Sequence, residues 1–181
     1  AKGVSITDNN LEAVKKADII ILAVKPFQAA EVIKGFKAAL NAKQVFVSVI
    51  TGVSISEIKE TMGKSLPVFR AMPNTAIAIQ QSMTCISYSN ASTQQARLVG
   101  QLFETLGKVA VIDEKLMDAA TVLGACGTAY AMRYIRANIQ GGIEIGFDAK
   151  IASLIAAQTV LGAAELLLQN GSHPEQEIDK V

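Results

Sequence analysis

The chain has 181 residues, of which 50% are hydrophobic and 18% charged, a composition typical of one large folded domain or two small ones that share a core. Its 17 lysines and arginines nearly balance its 16 aspartates and glutamates, so charge favours neither nucleic acid nor an anionic membrane as a partner. The longest uninterrupted apolar runs are far shorter than the roughly 20 residues that span a bilayer. We therefore expect a soluble, cytoplasmic protein.

Residues 1–112 have the pattern of an α/β domain, and strand-like and helix-like segments alternate up to residue 70, which predicts a doubly wound parallel sheet. The segment Ala71-Met72-Pro73-Asn74-Thr75 breaks this alternation, and the strand after it, with polar residues interleaved, is expected nearer a sheet edge. The predicted strands are 4–6, 18–24, 44–50, 66–70, 83–88 and 107–112. The predicted helices between them are 11–16, 27–40, 55–62 and 92–106. Thr7 and Asp8 are expected to cap the first helix, and the pairs Ser54/Glu57 and Ser92/Gln95 have capping-box spacing.

The chain after residue 112 is predicted to be entirely helical. One helical pattern runs from 115 to about 145, and a second from 148 to 170 is capped by Asp148 and closed by Gly171. Both patterns are apolar on nearly every side, and two such helices cannot cover each other fully. A second copy of the chain would cover them, so we expect a homodimer. Close helix packing is expected at small residues, namely Gly124, Ala125, Gly127, Gly141, Gly142 and Gly162.

The segment 117–130, MDAATVLGACGTAY, stands out because it is small, apolar and rich in glycine and alanine. Side chains this small permit a backbone or a ligand to come within contact distance. The pattern alone leaves open whether the close neighbour is a partner helix or a substrate.

Three short loops are candidates for a ligand site. Each follows a predicted parallel strand, and ligands of such sheets lie beyond the carboxyl ends of the strands. The loops are Ala23-Val24-Lys25-Pro26, Ile50-Thr51-Gly52-Val53 and Met72-Pro73-Asn74-Thr75. No G-x-G-x-x-G motif follows any strand, so the pattern does not identify a cofactor.

The two cysteines and the single histidine give little indication of chemistry. Cys85 and Cys126 lie far apart, which predicts neither a disulfide nor a zinc site, and both are expected to be reduced residues in or near the core. His173 lies in a Gly-Ser-His-Pro-Glu connection, where a solvated residue at a helix entry is favoured over a catalytic dyad.

Several segments together resemble pyrroline-5-carboxylate reductase, along essentially the whole chain. They are ADIIILAVKP, VSVITGVSI, RAMPNTA, DEKLMDAATVLGACGTAYA and AAQTVLGAAELLLQNGSHPEQEIDKV. The resemblance implies a partial Rossmann-like NAD(P)-binding domain over 1–112 and a helical dimerisation and substrate domain over 113–181. It also implies a homodimer, with a higher ring oligomer left open, and the NADPH- or NADH-dependent reduction of 1-pyrroline-5-carboxylate to L-proline.

The resemblance also assigns roles to residues. Ala23, Val24, Lys25 and Pro26 would lie along the cofactor, and Lys25 would supply the main side-chain contact. The same crevice would be bordered by Ile50, Thr51, Gly52, Met72, Pro73 and Asn74. Glu114 matches an acidic position facing the imine nitrogen, with a carboxylate favoured by a helix dipole as the alternative. Thr121 matches a position close to the substrate, with a threonine bonded to its own helix backbone as the alternative.

The sequence departs from the family pattern at three places. It begins after the usual strand, G-x-G-x-x-G and helix, and ends before the segment that holds the substrate carboxylate, so we expect an internal piece of a longer protein. Where the family reads S-G-S-G-P-A-Y, this chain reads Gly-Ala-Cys-Gly-Thr-Ala-Tyr from Gly124 to Tyr130, without the serines and the proline. The alternatives are a related NAD(P)-dependent reductase that acts on a hydroxy acid or a deazaflavin, and a dimerisation module without catalysis.

Overall fold

A computed structural model describes residues 3–181 of the chain. The chain forms two compact units, one that ends at Thr128 and one that runs from Ala129 to Val181. The division lies after the functional boundary predicted at residue 112. The reason is that Met117 is fully buried and its helix packs on a strand of the first unit.

The first unit contains a five-stranded sheet whose strands lie side by side in chain order. The strands are β1 (Ile19–Leu22), β2 (Val45–Ser48), β3 (Val68–Met72), β4 (Ser82–Ser89) and β5 (Gly107–Val111). β1, β2 and β3 are parallel, with Phe46 paired to both Ile20 and Val68. The predicted α/β class is therefore confirmed.

β4 runs antiparallel to β3, while β5 is parallel to β4, so the parallel arrangement of the sheet ends at β3, where the segment 71–75 is expected to break the alternation. The connection from β3 to β4 holds only a short 3₁₀ helix, Thr75–Ile79, and a left-handed Gln80. A parallel return would require a crossover of a dozen or more residues, which this connection does not supply.

The helices of the sheet-forming part are α1 (Asn10–Lys15), α2 (Ala29–Phe36), α3 (Ile55–Met62) and α4 (Thr93–Glu104). Both predicted capping boxes, at Ser54 and Ser92, are present. The cap of α1 is Asn9 rather than Thr7 or Asp8, since its side chain accepts the N–H of Glu12 at 3.2 Å. The predicted helix 27–40 is broken by 3₁₀ turns on both sides of α2.

The predicted strand 4–6 is wrong, because these residues lie outside every strand and helix. Val4 is 68% exposed and Ile6 is 84% exposed. With no strand of residues 3–181 beside them, the two side chains have no sheet face to pack on.

The core is divided between the two faces of the sheet. On one face, α1, α2 and α3 pack over Phe46 and Val68, and on the other face α4 packs over Phe69 through Val99 and Phe103. Helices on both faces are the defining feature of a doubly wound α/β domain.

The rest of the chain is helical but less regular than predicted. After a 3₁₀ turn (Glu114–Leu116) come α5 (Met117–Ala120), a π-helical turn (Thr121–Ala125), α6 (Gly127–Glu144), α7 (Ala149–Asn170) and α8 (Pro174–Ile178). Asp148 caps α7 and Gly171 ends it, as predicted. His173 is the exposed N-cap of α8, where its Nδ1 accepts the N–H of Glu175.

The unit from Ala129 to Val181 has very little core of its own. Its only buried hydrophobic residues are Ala152 and Ala156, although α7 is apolar around its circumference. At one point α6 and α7 approach closely, since a Cβ on Gly142 would lie 3.2 Å from the Cβ of Ala152. By length and composition alone, α7 could cross a membrane. The expectation of a soluble protein, which was based on the shortness of uninterrupted apolar runs, therefore does not extend to this helix.

Candidate active site at the carboxyl edge of the sheet

Three loops meet at one edge of the sheet because β1, β2 and β3 are parallel neighbours. Ala23–Pro26 follows β1, Ile50–Gly52 follows β2, and Met72–Asn74 ends β3. Two of the loops are in direct contact, since the Thr51 hydroxyl donates to the Met72 sulfur at 3.8 Å. Among residues 3–181, no hydrogen bond joins the first loop to the other two.

The first two loops present mostly backbone and small groups. The Lys25 N–H donates to Gln28 Oε1 at 3.2 Å, which fixes the turn at Pro26, while the Lys25 side chain is exposed. Ile50 is buried, and its N–H donates to the Ser48 hydroxyl at 3.3 Å. Gly52 has a φ of 74°, and a Cβ there would meet no atom within 4 Å. A ligand can therefore approach this backbone closely.

Asn74 connects the third loop to the π-helical turn. Its Oδ1 accepts the N–H of Ala76 at 3.1 Å and so caps the 3₁₀ helix that follows β3. Its Nδ2 donates to the Gly124 carbonyl at 3.3 Å, and its N–H donates to the Ser82 hydroxyl at 3.1 Å. The side chain is thus held at both ends, and it orients the Met-Pro-Asn loop toward the segment 121–125.

Glu114 lies beside the first turn of α3. Its Oε1 accepts the N–H of Ile55 at 2.6 Å and a hydrogen bond from Arg70 Nη1 at 3.1 Å. The Glu114 side chain is 34% exposed, whereas that of Arg70 is 6% exposed. The backbone N–H at the start of α3 and the guanidinium of Arg70 thus hold this carboxylate in place.

Arg70 is the functional candidate that sequence reasoning did not single out. It is the middle residue of β3, a strand whose five residues are all buried. An arginine inside a buried apolar strand requires a carboxylate partner, because an unpaired buried charge is strongly unfavourable. The sequence VFRAM therefore contained a signal for such a partner, although it did not identify Glu114.

Thr121 begins the π-helical turn, and its hydroxyl donates to the Met117 carbonyl at 2.9 Å. This is the backbone contact weighed as the alternative to a substrate contact. The turn is closed by the N–H of Cys126, which donates to the Thr121 carbonyl at 2.9 Å. Among residues 3–181, no hydrogen bond joins Thr121 to Glu114, so the two predicted catalytic residues are close in sequence but not directly linked.

The cysteines differ from each other. Cys85 is partly buried on β4, and burial raises the pKa of its thiol. Cys126 is exposed, so the expectation of a core position is wrong for this residue. Its side chain follows the widened π turn rather than the packed face of a regular helix. Both thiols are free in the described part of the chain.

The fold and the site together define a Rossmann-like α/β domain joined to a helical segment, with the carboxylate of Glu114 bonded to the first turn of α3 and to Arg70 of β3. A family model described as pyrroline-5-carboxylate reductase dimerisation matches residues 114–181. A second one, described as coenzyme F420-dependent NADP oxidoreductase, matches residues 1–52.

Relatives extend the likeness over the whole chain. Pyrroline-5-carboxylate reductase 1 of Dictyostelium discoideum is 41% identical over 99% of this chain and 35% of its own length. Pyrroline-5-carboxylate reductase of Methanosarcina acetivorans is 33% identical over 99% of this chain and 67% of its own length. The chain belongs to the pyrroline-5-carboxylate reductase family.

A solved structure agrees with this assignment. The crystal structure of Plasmodium falciparum pyrroline carboxylate reductase with NADP bound has a TM-score of 0.90 and 27% identity, over 97% of this chain and 67% of that chain. The chain thus spans between about a third and two thirds of the length of these relatives.

Proposed function

We propose that the protein is an NAD(P)H-dependent pyrroline-5-carboxylate reductase, which reduces 1-pyrroline-5-carboxylate to L-proline in the last step of proline biosynthesis. The observation that carries the proposal is the similarity to enzymes of that name along 99% of the chain. The site supports it chemically, because it combines loops with an accessible backbone and the carboxylate of Glu114.

The residues at the sheet edge fit the nicotinamide and ribose part of a dinucleotide. Gly52 leaves open space where a side chain would stand, and Ala23 and Pro26 add only small, exposed groups. The relative from Plasmodium falciparum has NADP bound, which favours the same class of cofactor here. When bound, NADPH or NADH would supply the hydride. Its holding residues would be Ala23, Val24, Lys25, Pro26, Ile50, Thr51, Gly52, Met72, Pro73 and Asn74.

Glu114 is proposed to face the imine nitrogen of the substrate. A protonated cyclic imine is a cation and is already electrophilic, so it needs a nearby negative charge and correct positioning more than a strong acid. Glu114 supplies that charge. Thr121, one turn after Met117, is proposed to lie against the substrate, with its hydroxyl oriented by the Met117 carbonyl.

The domain assignment follows from the same reasoning. Residues 1–112 are proposed as the partial NAD(P)-binding domain and residues 113–181 as the dimerisation and substrate domain. The exposed apolar side chains of α6 and α7 favour a homodimer, with a larger ring as a further assembly. Coverage of α7 by a second copy would account for its composition without a membrane, and we propose a cytoplasmic protein that binds neither membrane nor nucleic acid.

The test is an assay of NADPH oxidation by the full-length gene product with 1-pyrroline-5-carboxylate as substrate. We expect turnover that yields proline, and a loss of turnover in Glu114→Gln while the variant remains folded and binds NADPH. A folded protein that binds NADPH but does not reduce the imine would falsify the proposal.

A second candidate is favoured by the match of residues 1–52 to the F420-dependent oxidoreductase family. In that case the nucleotide-binding part would serve hydride transfer between NADP and a deazaflavin. Incubation with NADPH and oxidised coenzyme F420 distinguishes the two, since reduction of the deazaflavin without reduction of the imine would support this candidate.

A further inference from the structure

The ion pair between Arg70 and Glu114 joins two residues that lie far apart in sequence. Arg70 stands in the middle of β3 with its side chain 94% buried, and Glu114 belongs to the turn that follows β5. Their hydrogen bond, at 3.1 Å, joins residues 44 positions apart. The pair therefore anchors the start of the segment 114–121, which carries both predicted catalytic residues, to the rigid sheet.

Only one oxygen of the Glu114 carboxylate is used for this anchoring. Oε1 accepts both the Arg70 guanidinium and the Ile55 N–H, and no hydrogen bond within residues 3–181 involves Oε2. About a third of the side chain is exposed. A carboxylate tethered by one oxygen has the other available to accept from a cationic ligand.

Asp118 is the other carboxylate near Arg70, but it is a weaker partner. Its Oδ1 lies 3.9 Å from Arg70 Nη2, beyond hydrogen-bond distance, and its side chain is 89% exposed. Arg70 Nε and Nη2 are buried without a hydrogen-bond partner in the described part of the chain. Glu114 is thus the carboxylate that Arg70 orients, while an exposed ion pair such as that of Asp118 contributes little.

We infer that Arg70 is a positioning residue that holds the Glu114 carboxylate in the orientation in which it faces the imine. The inference rests on the proposed function, and it goes further in assigning a buried arginine of β3, two residues before Met72, to the reaction. Arg70 would act only through Glu114, without contact to the substrate.

The test is a double-mutant cycle in the full-length protein with Arg70→Lys, Arg70→Met and Glu114→Gln. We expect each Arg70 variant to lower kcat/KM for 1-pyrroline-5-carboxylate by about 10- to 100-fold, the range for one lost charged hydrogen bond, with an unchanged KM for NADPH. Since Arg70 acts through Glu114, the double variant should be no slower than Glu114→Gln alone. Arg97→Lys, the same exchange at an exposed position of α4, is the matched control and should match the wild type.

The outcomes separate the two proposals. Wild-type protein that does not reduce the imine contradicts the proposed function itself. If the wild type is active but the losses of Arg70 and Glu114 multiply, or if Arg70→Lys is fully active, the positioning role is wrong. Circular dichroism monitors folding, and unfolding of both Arg70 variants would assign the residue to stability alone and likewise overturn the inference.

Discussion

The two compact units use a similar supply of apolar residues in opposite ways. Nearly every buried hydrophobic side chain belongs to the unit that ends at Thr128, where Phe46, Val68 and Phe69 are completely inaccessible. In the unit from Ala129 to Val181 only Ala152 and Ala156 are buried, and Leu154 and Leu168 are 64% and 72% exposed. The first unit therefore carries its own core, whereas the second leaves most of its apolar side chains exposed.

This difference teaches that apolar content does not by itself predict where stability arises. An alternating α/β chain closes its core by packing helices on both faces of one sheet. A pair of helices has no such second layer, and its stability depends on association. Substitutions of apolar residues should accordingly change the free energy of unfolding in one unit and the dissociation constant of the proposed homodimer in the other.

The largest effect on folding is expected from Phe69→Ala. Phe69 is 0% exposed, and its ring centroid lies 5.2 Å from that of Tyr88. Removal of a buried ring costs about 3–5 kcal/mol through lost burial and the cavity left behind. Urea unfolding followed by circular dichroism measures this loss. Leu98→Ala, at a 48% exposed position of α4, is the control and should stay within about 0.5 kcal/mol.

The next effect is expected on association, from Leu154→Glu in α7. In the proposed homodimer α7 is covered by the second copy, so a charge at this position should raise the dimer dissociation constant by about 100-fold or more, while the unit that ends at Thr128 remains folded. Sedimentation velocity over a concentration series measures the change. Ile79, in the unit that ends at Thr128, is 73% exposed and serves as the control. Ile79→Glu should leave the dimer intact, and an equal increase of the dimer dissociation constant in both variants would contradict the comparison.

A smaller effect is expected from Asn74→Asp, which tests how strongly the π turn over Thr121–Ala125 is held to the loop that follows β3. The new carboxylate still accepts the Ala76 N–H but cannot donate to the Gly124 carbonyl. The loss of this partly buried hydrogen bond should cost about 1–2 kcal/mol in urea unfolding. Asn138→Asp removes a similar bond, to the Tyr134 carbonyl, at an exposed position of α6 and should cost less. If both variants lose the same free energy of unfolding, the hydrogen bond from Asn74 to Gly124 contributes no more than the exposed one from Asn138 to Tyr134, and the prediction is wrong.

The smallest effect concerns a single cap within the sheet unit. Hydrogen bonds from the Ser54 side chain and backbone lower the pKa of Glu57 below its ordinary value of 4.5. A depressed folded-state pKa adds stability above the unfolded-state pKa, and this stability is lost as pH falls through the folded-state pKa. The stability difference between wild type and Glu57→Gln should thus be present at neutral pH and shrink in acid. A difference that grows on acidification would contradict this sign.

Features encoded by neighbouring residues could be predicted from the sequence. The capping boxes at Ser54 and Ser92 depend on spacings of three residues, and both are present. The meeting of three loops at one edge followed from consecutive parallel strands, and it is also observed. These predictions succeeded because the relevant interactions are local or follow from a single rule of topology.

Features that depend on distant partners could not be predicted in the same way. The direction of β4 is set by the length of one connection, and the partner of Arg70 lies 44 residues away. Thr121 was assigned from family resemblance, and its role toward the substrate stays a prediction. For Arg70 and Thr121, the sequence shows the polar side chain but not the three-dimensional position that selects its partner.

The π turn over Thr121–Ala125 makes this segment sensitive to the number of its residues more than to their identity. Each α-helical residue turns the chain by about 100°, so an added residue moves every later side chain to a different direction around the axis. Exchanges at the exposed Val122 or Leu123 keep that number constant. Deletion of any one residue would restore regular winding, displace the Gly124 carbonyl from Asn74 and redirect all of α6. Variation in length, not in composition, is therefore what this part of the chain can least accommodate.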